Sequence, residues 1–436
     1  MSELPTGWEW TTIGDLTLPV SKVDPRSEPD HEFDYIDIGG VDGDRGEILE
    51  TQRLAGRAAP SRARQLVRAG DTVLSTVRTY MRKTALVPSR LDEQVASTGF
   101  SVLRPAEDVN PKYLYYAVRR QEFVDTLSSL QTGSSYPAVR DKDVRSMRVP
   151  LAPKAGQERI VAAIEEHFSR LDAAWASLRS AEARLGALES RAADEAFRSL
   201  GERVPVGELA DVRGGIQKQP KRKPKDNPAP FLRVANVGHG RVNLDDVHQI
   251  ELFDGELERC RLESGDLLVV EGNGSPDQIG RSAVWHGEID PCVHQNHLIR
   301  VRPGPRLDPE FLGLYWNAPS TRAQLTAVAS STSGLHTLST AKVKRVPVPA
   351  ASVEKQRAVV EQLSAQNAGF EHLRESLRVA AARQATLRRA VLAAAFAGQL
   401  VPQDPDDEPA SVLLRRIRAE RQAATPTRHT RKAKVS

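Results

Sequence analysis

The chain has 436 residues, a formal net charge of +4, 39% hydrophobic and 27% charged residues, a composition that suits two or three globular domains and excludes a largely disordered polymer. No run of about 18 apolar residues occurs, and the opening stretch lacks a basic-then-apolar leader pattern, so a cytoplasmic chain with no membrane partner is expected. Cys260 and Cys292 are too few for a disulfide framework, and a charge of +4 does not by itself point to nucleic acid.

In chain order, residues 1–150 are short β-branched runs broken by Gly, Pro and Asp, which predicts a mixed α/β globule. Residues 151–200 predict a long helix, on which Ile164, Leu171, Leu178, Leu185 and Ala192 recur every seven positions with Phe168 and Trp175 beside them. Residues 201–350 predict a second mixed globule. Residues 351–400 predict a second long helix with a seam of Leu363, Phe370, Leu377, Gln384 and Val391, flanked by Leu373, Ala380 and Leu387. Residues 401–436 predict a short helix opened by Pro409, with Asp406, Asp407 and Glu408 at its start and Arg415, Arg416 and Arg418 toward its end, then a basic tail. Gly398 suits a left-handed helix stop before Pro402. Each long helix would run ~65 Å at ~1.5 Å per residue, and its narrow stripe needs a partner. The simplest partner is the other helix, so Ile164, Leu171, Leu178 and Leu185 are expected to pair with Leu363, Phe370, Leu377 and Val391 in an antiparallel coiled coil.

The two halves are one unit written twice. Ile13-Gly14-Asp15-Leu16 returns as Val206-Gly207-Glu208-Leu209 at an offset of 193, and Tyr35-Ile36-Asp37-Ile38 as Phe231-Leu232-Arg233-Val234 at 196. Gly70-Asp71-Thr72-Val73-Leu74 matches Gly265-Asp266-Leu267-Leu268-Val269 at 195. Leu103-Arg104-Pro105 and Asn110-Pro111 match Val301-Arg302-Pro303 and Asp308-Pro309 at 198, and Val149-Pro150, Gln157 and Val161 match Val348-Pro349, Gln356 and Val360 at 199. The matches keep their order along the chain, as expected of a duplicated domain with small insertions.

This layout resembles the specificity (S, or HsdS) subunits of type I restriction-modification systems over nearly the whole chain. The resemblance is carried by the helix starts Val149-Pro150-Leu151-Ala152-Pro153 to Gln157-Glu158-Arg159-Ile160-Val161, and by Ala395-Phe396-Ala397-Gly398-Gln399-Leu400-Val401-Pro402 running on to Asp407-Glu408-Pro409-Ala410-Ser411. Gly156 departs from the family, in which Glu commonly precedes the Gln. The resemblance implies an α+β class: target-recognition domain 1 (1–150), a central conserved helix (151–200), target-recognition domain 2 (201–350) and a distal conserved helix (351–400), with pseudo-two-fold repetition. It also implies that the chain is not an enzyme and binds no cofactor. Double-stranded DNA, two methyltransferase (modification) subunits and restriction/translocase subunits would be its partners; S-adenosylmethionine, ATP and Mg would belong to those subunits. The alternative is a two-domain scaffold that binds proteins and not DNA.

Enzyme motifs have simpler readings. Leu268-Val269-Val270-Glu271-Gly272-Asn273-Gly274 imitates a cofactor loop, but its repeat partner at Leu74–Tyr80 has no glycine. Gly274 to Gly280 with Arg281-Ser282 imitates a phosphate loop with the wrong spacing and Arg in place of Lys. His286, Cys292, His294 and His297 cluster, yet one sulfur without a second pair makes scattered polar residues the better reading than a metal site.

DNA binding needs cations for phosphates and forked or amide side chains for base edges. Arg78, Tyr80, Arg82 and Lys83 in the first copy, and Asn273, Ser275, Gln278 and Arg281 in the second, follow the Gly-Asp strand and are the base-reading candidates. The loops with Ser134, Ser135, Tyr136, Arg140 and Lys142, and with Ser331, Thr332, Ser333, His336 and Lys342, precede the helix starts and suit phosphate contact. Lys221, Arg222 and Lys223 form a basic loop in the second copy alone. Unequal reading loops on a shared scaffold imply an asymmetric, two-part DNA target.

Overall fold

The words that mark the repeat most clearly prove to be the two ends of one buried ion pair in each half. In the computed structural model, which describes residues 3–133, 136–272, 278–329 and 337–424, the buried Asp71 carboxylate receives Arg104 Nε at 3.0 Å and a terminal guanidinium nitrogen at 2.7 Å. Asp266 receives Arg302 in the same way at 2.7 and 2.8 Å. Gly70 and Gly265, at φ +88° and +93°, supply the left-handed turn before each aspartate. The strands that follow, Thr72–Ser75 and Leu267–Val270, are buried at every position, which is why neither shows polar alternation.

The contacts divide the chain into unit 1, Met1–Ser177 with Ala380–Ser436, and unit 2, Leu178–Val379. In unit 1 an antiparallel sheet has the order Thr17–Leu18, Phe100–Pro105, Thr72–Ser75, Thr84–Leu86. A second sheet has the order Gln52–Ala55, Glu32–Ile36, Val95–Ser97, Ala63–Leu66, with Glu32–Ile36 and Val95–Ser97 parallel. Unit 2 repeats the first sheet as Ala210–Gly214, Leu298–Pro303, Leu267–Val270, Ser282–Val284. Its second sheet is His248–Glu251, Phe231's strand Pro228–Leu232, and Val293–His294, the last pair again parallel. Helices Pro111–Arg119 and Pro309–Asn317 start at Asn110 and Asp308, whose side chains accept two backbone N–H groups each.

The long helices run Lys154–Arg198 and Val353–Phe396. Each unit takes the beginning of one and the end of the other. Ile160, Val161 and Ile164 join Leu392, Ala395 and Phe396 in the core of unit 1, while Val359 and Leu363 join Ala196 and Phe197 in that of unit 2. Phe396 lies 5.0 Å from the Tyr113 ring, and Phe197 lies 5.6 Å from Phe311.

The helices pack against each other antiparallel. In unit 1 Arg388 covers the Phe168 ring at 4.6 Å, and one turn on Gln384 Nε2 donates to the Leu171 carbonyl at 3.0 Å, so one residue number falls as the other rises. Within unit 2 Glu189 meets Arg374 at 2.6 Å. Ile164, Leu185 and Leu363 are buried, and Leu171, Leu178, Phe370, Leu377 and Val391 are half-buried, as the seam requires. The row beside it differs from expectation. Leu373 and Leu387 are each 51% exposed, Ala380 is half-buried, and the row four residues on from the seam adds half-buried Ala381 and Arg388 and buried Ala395. On that row the Arg388 guanidinium lies over the Phe168 ring.

Gly398 ends the second long helix at φ +71°, and the chain turns to the short helix Ala410–Ala424. Ala410, Leu413, Leu414 and Ile417 complete the core of unit 1. Gln403 Oε1 accepts from Trp8 Nε1 at 2.7 Å, and Arg416 and Arg418 reach Asp108 and Asp15 at 2.9 and 3.1 Å.

Candidate nucleic-acid interface

The candidate turn Thr79–Met81 of unit 1 sits between two left-handed arginines, Arg78 at φ +48° and Arg82 at φ +55°. Such backbone costs a side-chain-bearing residue of order 1 kcal/mol, so neighbours must hold it. They do. Arg78 N–H donates to Pro137 O at 2.8 Å, Val139 N–H to Thr76 O at 2.9 Å, and Thr79 Oγ1 shares a 2.8 Å bond with Ser128 Oγ. The two loops named from sequence, around 78–83 and 132–142, are thereby one surface. Arg78 lies 5.4 Å over the Tyr136 ring, and Tyr136, Tyr80 and Met81 are 75%, 56% and 48% exposed. A junction that holds two tyrosines and a methionine in solvent has kept them there against the hydrophobic effect.

Unit 2 joins its two loops by the same means: Gly272 bridges Thr337, and Leu338 N–H donates to Glu271 O at 2.7 Å. Asn273, Ser275, Ser331, Thr332, Ser333 and His336 lie outside the described residues, as do Ser134 and Ser135 in unit 1. Gln278 and Lys342 flank the junction; Gln278 Oε1 accepts from Arg281 at 2.5 Å and Lys342 Nζ donates to Thr337 O at 3.2 Å.

Several named cations are internal struts in the free chain. Lys83 Nζ donates to Val41 O at 2.5 Å and Arg281 to Val234 O at 2.8 Å, so Lys83 is tied to the short strand Val41–Asp42 and Arg281 to the turn Val234–Asn236. Arg82 donates to Gln121 Oε1 and Arg119 O, both at 2.6 Å. Burial holds the Arg82 and Arg281 guanidiniums below their ordinary value, Arg82 being pushed further by Arg119 and Arg389. Arg140 is exposed and paired with Asp143 at 3.0 Å, and Lys142 is exposed. In the basic loop Arg222 grips Glu256 at 2.7 and 2.8 Å, which pulls that carboxyl down to about 2, while Lys221 and Lys223 stay exposed on either side.

Sequence reasoning missed Arg119, which donates to the carbonyls of Thr84, Gly43 and Asp44, and missed His239, whose Nδ1 lies 2.8 Å from Arg322. Burial, with Arg322 and Arg281 nearby, lowers the His239 pKa. Nothing local in the sequence marks either residue, because their neighbours come from other elements. The four residues weighed as metal ligands are dispersed. His286 faces Glu310 at 3.6 Å, His297 faces Glu271 at 3.0 Å, His294 is buried against Leu298 O at 3.0 Å, and burial raises the Cys292 thiol to about 12.

This arrangement, two like-built units each joining a strand-following turn to the loop before a helix start, has known counterparts. The chain is 26% identical over 359 residues to the type I restriction enzyme EcoKI specificity subunit of Escherichia coli K12, covering 76% of each. It is 24% identical over 353 residues to the StySPI specificity subunit of Salmonella potsdam, again covering 76% of each. The chain is a homologue of the type I restriction specificity subunits. Solved structures share the fold: the HsdS subunit from Thermoanaerobacter tengcongensis at 28% identity and TM-score 0.55, over 91% of this chain and 98% of that one. A chain from work on complex assembly and conformational transition of the type I R-M system matches at 27% identity and TM-score 0.75, over 92% of this chain and 100% of that one. No protein-family model matches the chain. No helix among the described residues is long and apolar enough to cross a membrane.

Proposed function

We propose that this chain is the DNA-specificity subunit of a type I restriction-modification system, and that each unit reads one half of an asymmetric, two-part site. The observation that carries this reading is the junction built twice on one scaffold with different side chains. Unit 1 offers Arg78, Tyr80, Met81 and Tyr136, and unit 2 offers Gln278 and Lys342 beside its own junction. Like scaffolding with unlike contact groups suits two readers of unlike sequences, and gives a protein-binding scaffold no evident use for the difference.

In this reading the chain performs no chemistry, works in the cytoplasm and binds no cofactor. Two modification subunits carry S-adenosylmethionine, restriction/translocase subunits carry ATP and Mg, and the chain places the former beside the adenines they modify. Leu188, Leu373 and Leu387, 51 to 55% exposed on the long helices, are apolar surface that such subunits would cover.

The helices set the gap between half-sites. Four helix-forming residues inserted after Ala183 add ~6 Å, worth one to two base pairs at ~3.4 Å each. Modified adenines, mapped genome-wide in cells carrying the variant and its partners, should show unchanged half-sites with a wider gap. An unchanged gap at full activity, or altered half-sites, would overturn the assignment.

A further inference from the structure

Unit 1 contains a cleft of about 710 Å³ between its recognition fold and the long helices, lined by Arg82 and Arg119 on one side, Arg389 on the other, and Phe168 and Trp175 beneath. These three arginines have no carboxylate within salt-bridge distance among the described residues. Arg82 and Arg119 donate to an amide oxygen and to backbone carbonyls, and Arg389 to Thr386 Oγ1 at 3.4 Å. Arg45 and Arg388 line it as well, and three of the four acids there have partners within the same lining. Asp42 accepts from the backbone N–H groups of Asp44 and Arg45, Asp125 from Gln121, and Asp172 from Arg388, which leaves Asp44. Five guanidiniums against four carboxylates leave this half-enclosed lining with a positive excess, at Arg82, Arg119 and Arg389, which an entering anion would balance.

The repeat supplies an internal control. Thr84 pairs with Leu74 as Ser282 pairs with Val269, so Arg82 corresponds to Gly280. Arg119 ends its nine-residue helix where Asn317 ends the matching one. Arg389 corresponds to Ser190 at the helix offset of 199. Unit 2 thus builds the matching first sheet, nine-residue helix and long-helix end with none of the three cations, and these elements do not require them. Arg82 also closes the turn that carries Tyr80, and Tyr80 itself lines the cleft, so the charged surface continues from the reading turn down to the second long helix.

We propose that this cleft takes a phosphodiester of the duplex beside the half-site read by unit 1, with Arg389, on the helix and outside the recognition fold, as a sequence-independent contact. This rests on the DNA-specificity reading above. Arg389 is exposed, so its replacement leaves the core intact.

The full chain assembled with its modification subunits would be titrated, as wild type, Arg389→Ala and Arg389→Lys, with a duplex carrying the mapped site and with a mixed-sequence duplex, each at several salt concentrations. Arg389→Ala should weaken both by a similar factor, about tenfold for a lost charge-assisted bond. It should make the slope of log affinity against log salt shallower by about one, and Arg389→Lys should keep most of both. Unchanged affinity and slope, or a loss confined to the mapped site, would overturn the proposal. So would impaired assembly with normal DNA affinity in the assembled fraction, which would give the cleft to an acidic surface of a partner. If wild type binds neither duplex, the DNA-specificity reading itself fails.

Discussion

His294, one of four residues whose spacing suggested metal, stands in the short parallel strand Val293–His294 with no exposed surface. Its Nδ1 meets the Leu298 carbonyl at 3.0 Å while Nε2 has no partner, so the neutral ring fits and the charged one does not. Burial lowers its pKa to about 4. The unfolded chain takes up this proton near ~6.5 and the folded chain only near 4, so the unfolded state holds the extra proton in between. Stability from this group is therefore complete above pH ~6.5 and falls as pH drops toward 4, by up to about 3 kcal/mol. Thermal melts should show the transition of unit 2 falling between pH 7 and 4.5, and His294→Gln should flatten that fall. An equal pH dependence in both proteins would remove His294 as its cause.

At the scale of elements, Gln157 and Gln356 explain why a glutamine stands at the same place in each helix start. Each is fully buried. Gln157 accepts from Asn110 N–H and donates to Ala152 O, both at 3.0 Å, and Gln356 accepts from Asp308 N–H at 2.8 Å and donates to Ala351 O at 2.7 Å. One side chain fastens the first turn of a long helix to the start of a recognition-fold helix. Replacing Gln157 by Ala strands a buried donor and a buried acceptor, and should cost about 2 to 4 kcal/mol. Denaturant unfolding would measure it, and the matching Gln356→Ala should lose a similar amount from unit 2. The neighbouring departure at Gly156 has no such consequence, since a Cβ there would meet nothing closer than 3.6 Å.

For the whole molecule, the assignment of Ala380–Ser436 to unit 1 means that the chain's first fold is finished by its last residues. Ending the chain at Val379 removes Leu392, Ala395, Phe396 and the helix Ala410–Ala424 from unit 1 and takes nothing from unit 2. Hydrogen exchange should then rise across Tyr113–Val118 and Val149–Leu151, while Leu267–Val270 and Leu298–Val301 keep their protection. Uniform loss in both units, or none in either, would contradict this division.

The sequence by itself determined the duplication, the two long helices and their seven-residue seam, because each depends on periodicity or on order along the chain. Asp71 with Arg104, and Asp266 with Arg302, were visible as repeated words for the same reason. Only the tertiary structure decided which cations are free to meet a ligand. Lys83, Arg281 and Arg222 looked alike in sequence to Arg78, Lys221 and Lys223, and what separates them is a carbonyl or carboxylate supplied by a distant element, at Val41, Val234 and Glu256. The second row of the helix seam was set in the same way. A period near 3.5 fixes one face, but whether Leu387 or Arg388 lies beside it depends on how the helix is turned against Phe168, a rotation that the spacing of apolar residues along one helix leaves undetermined.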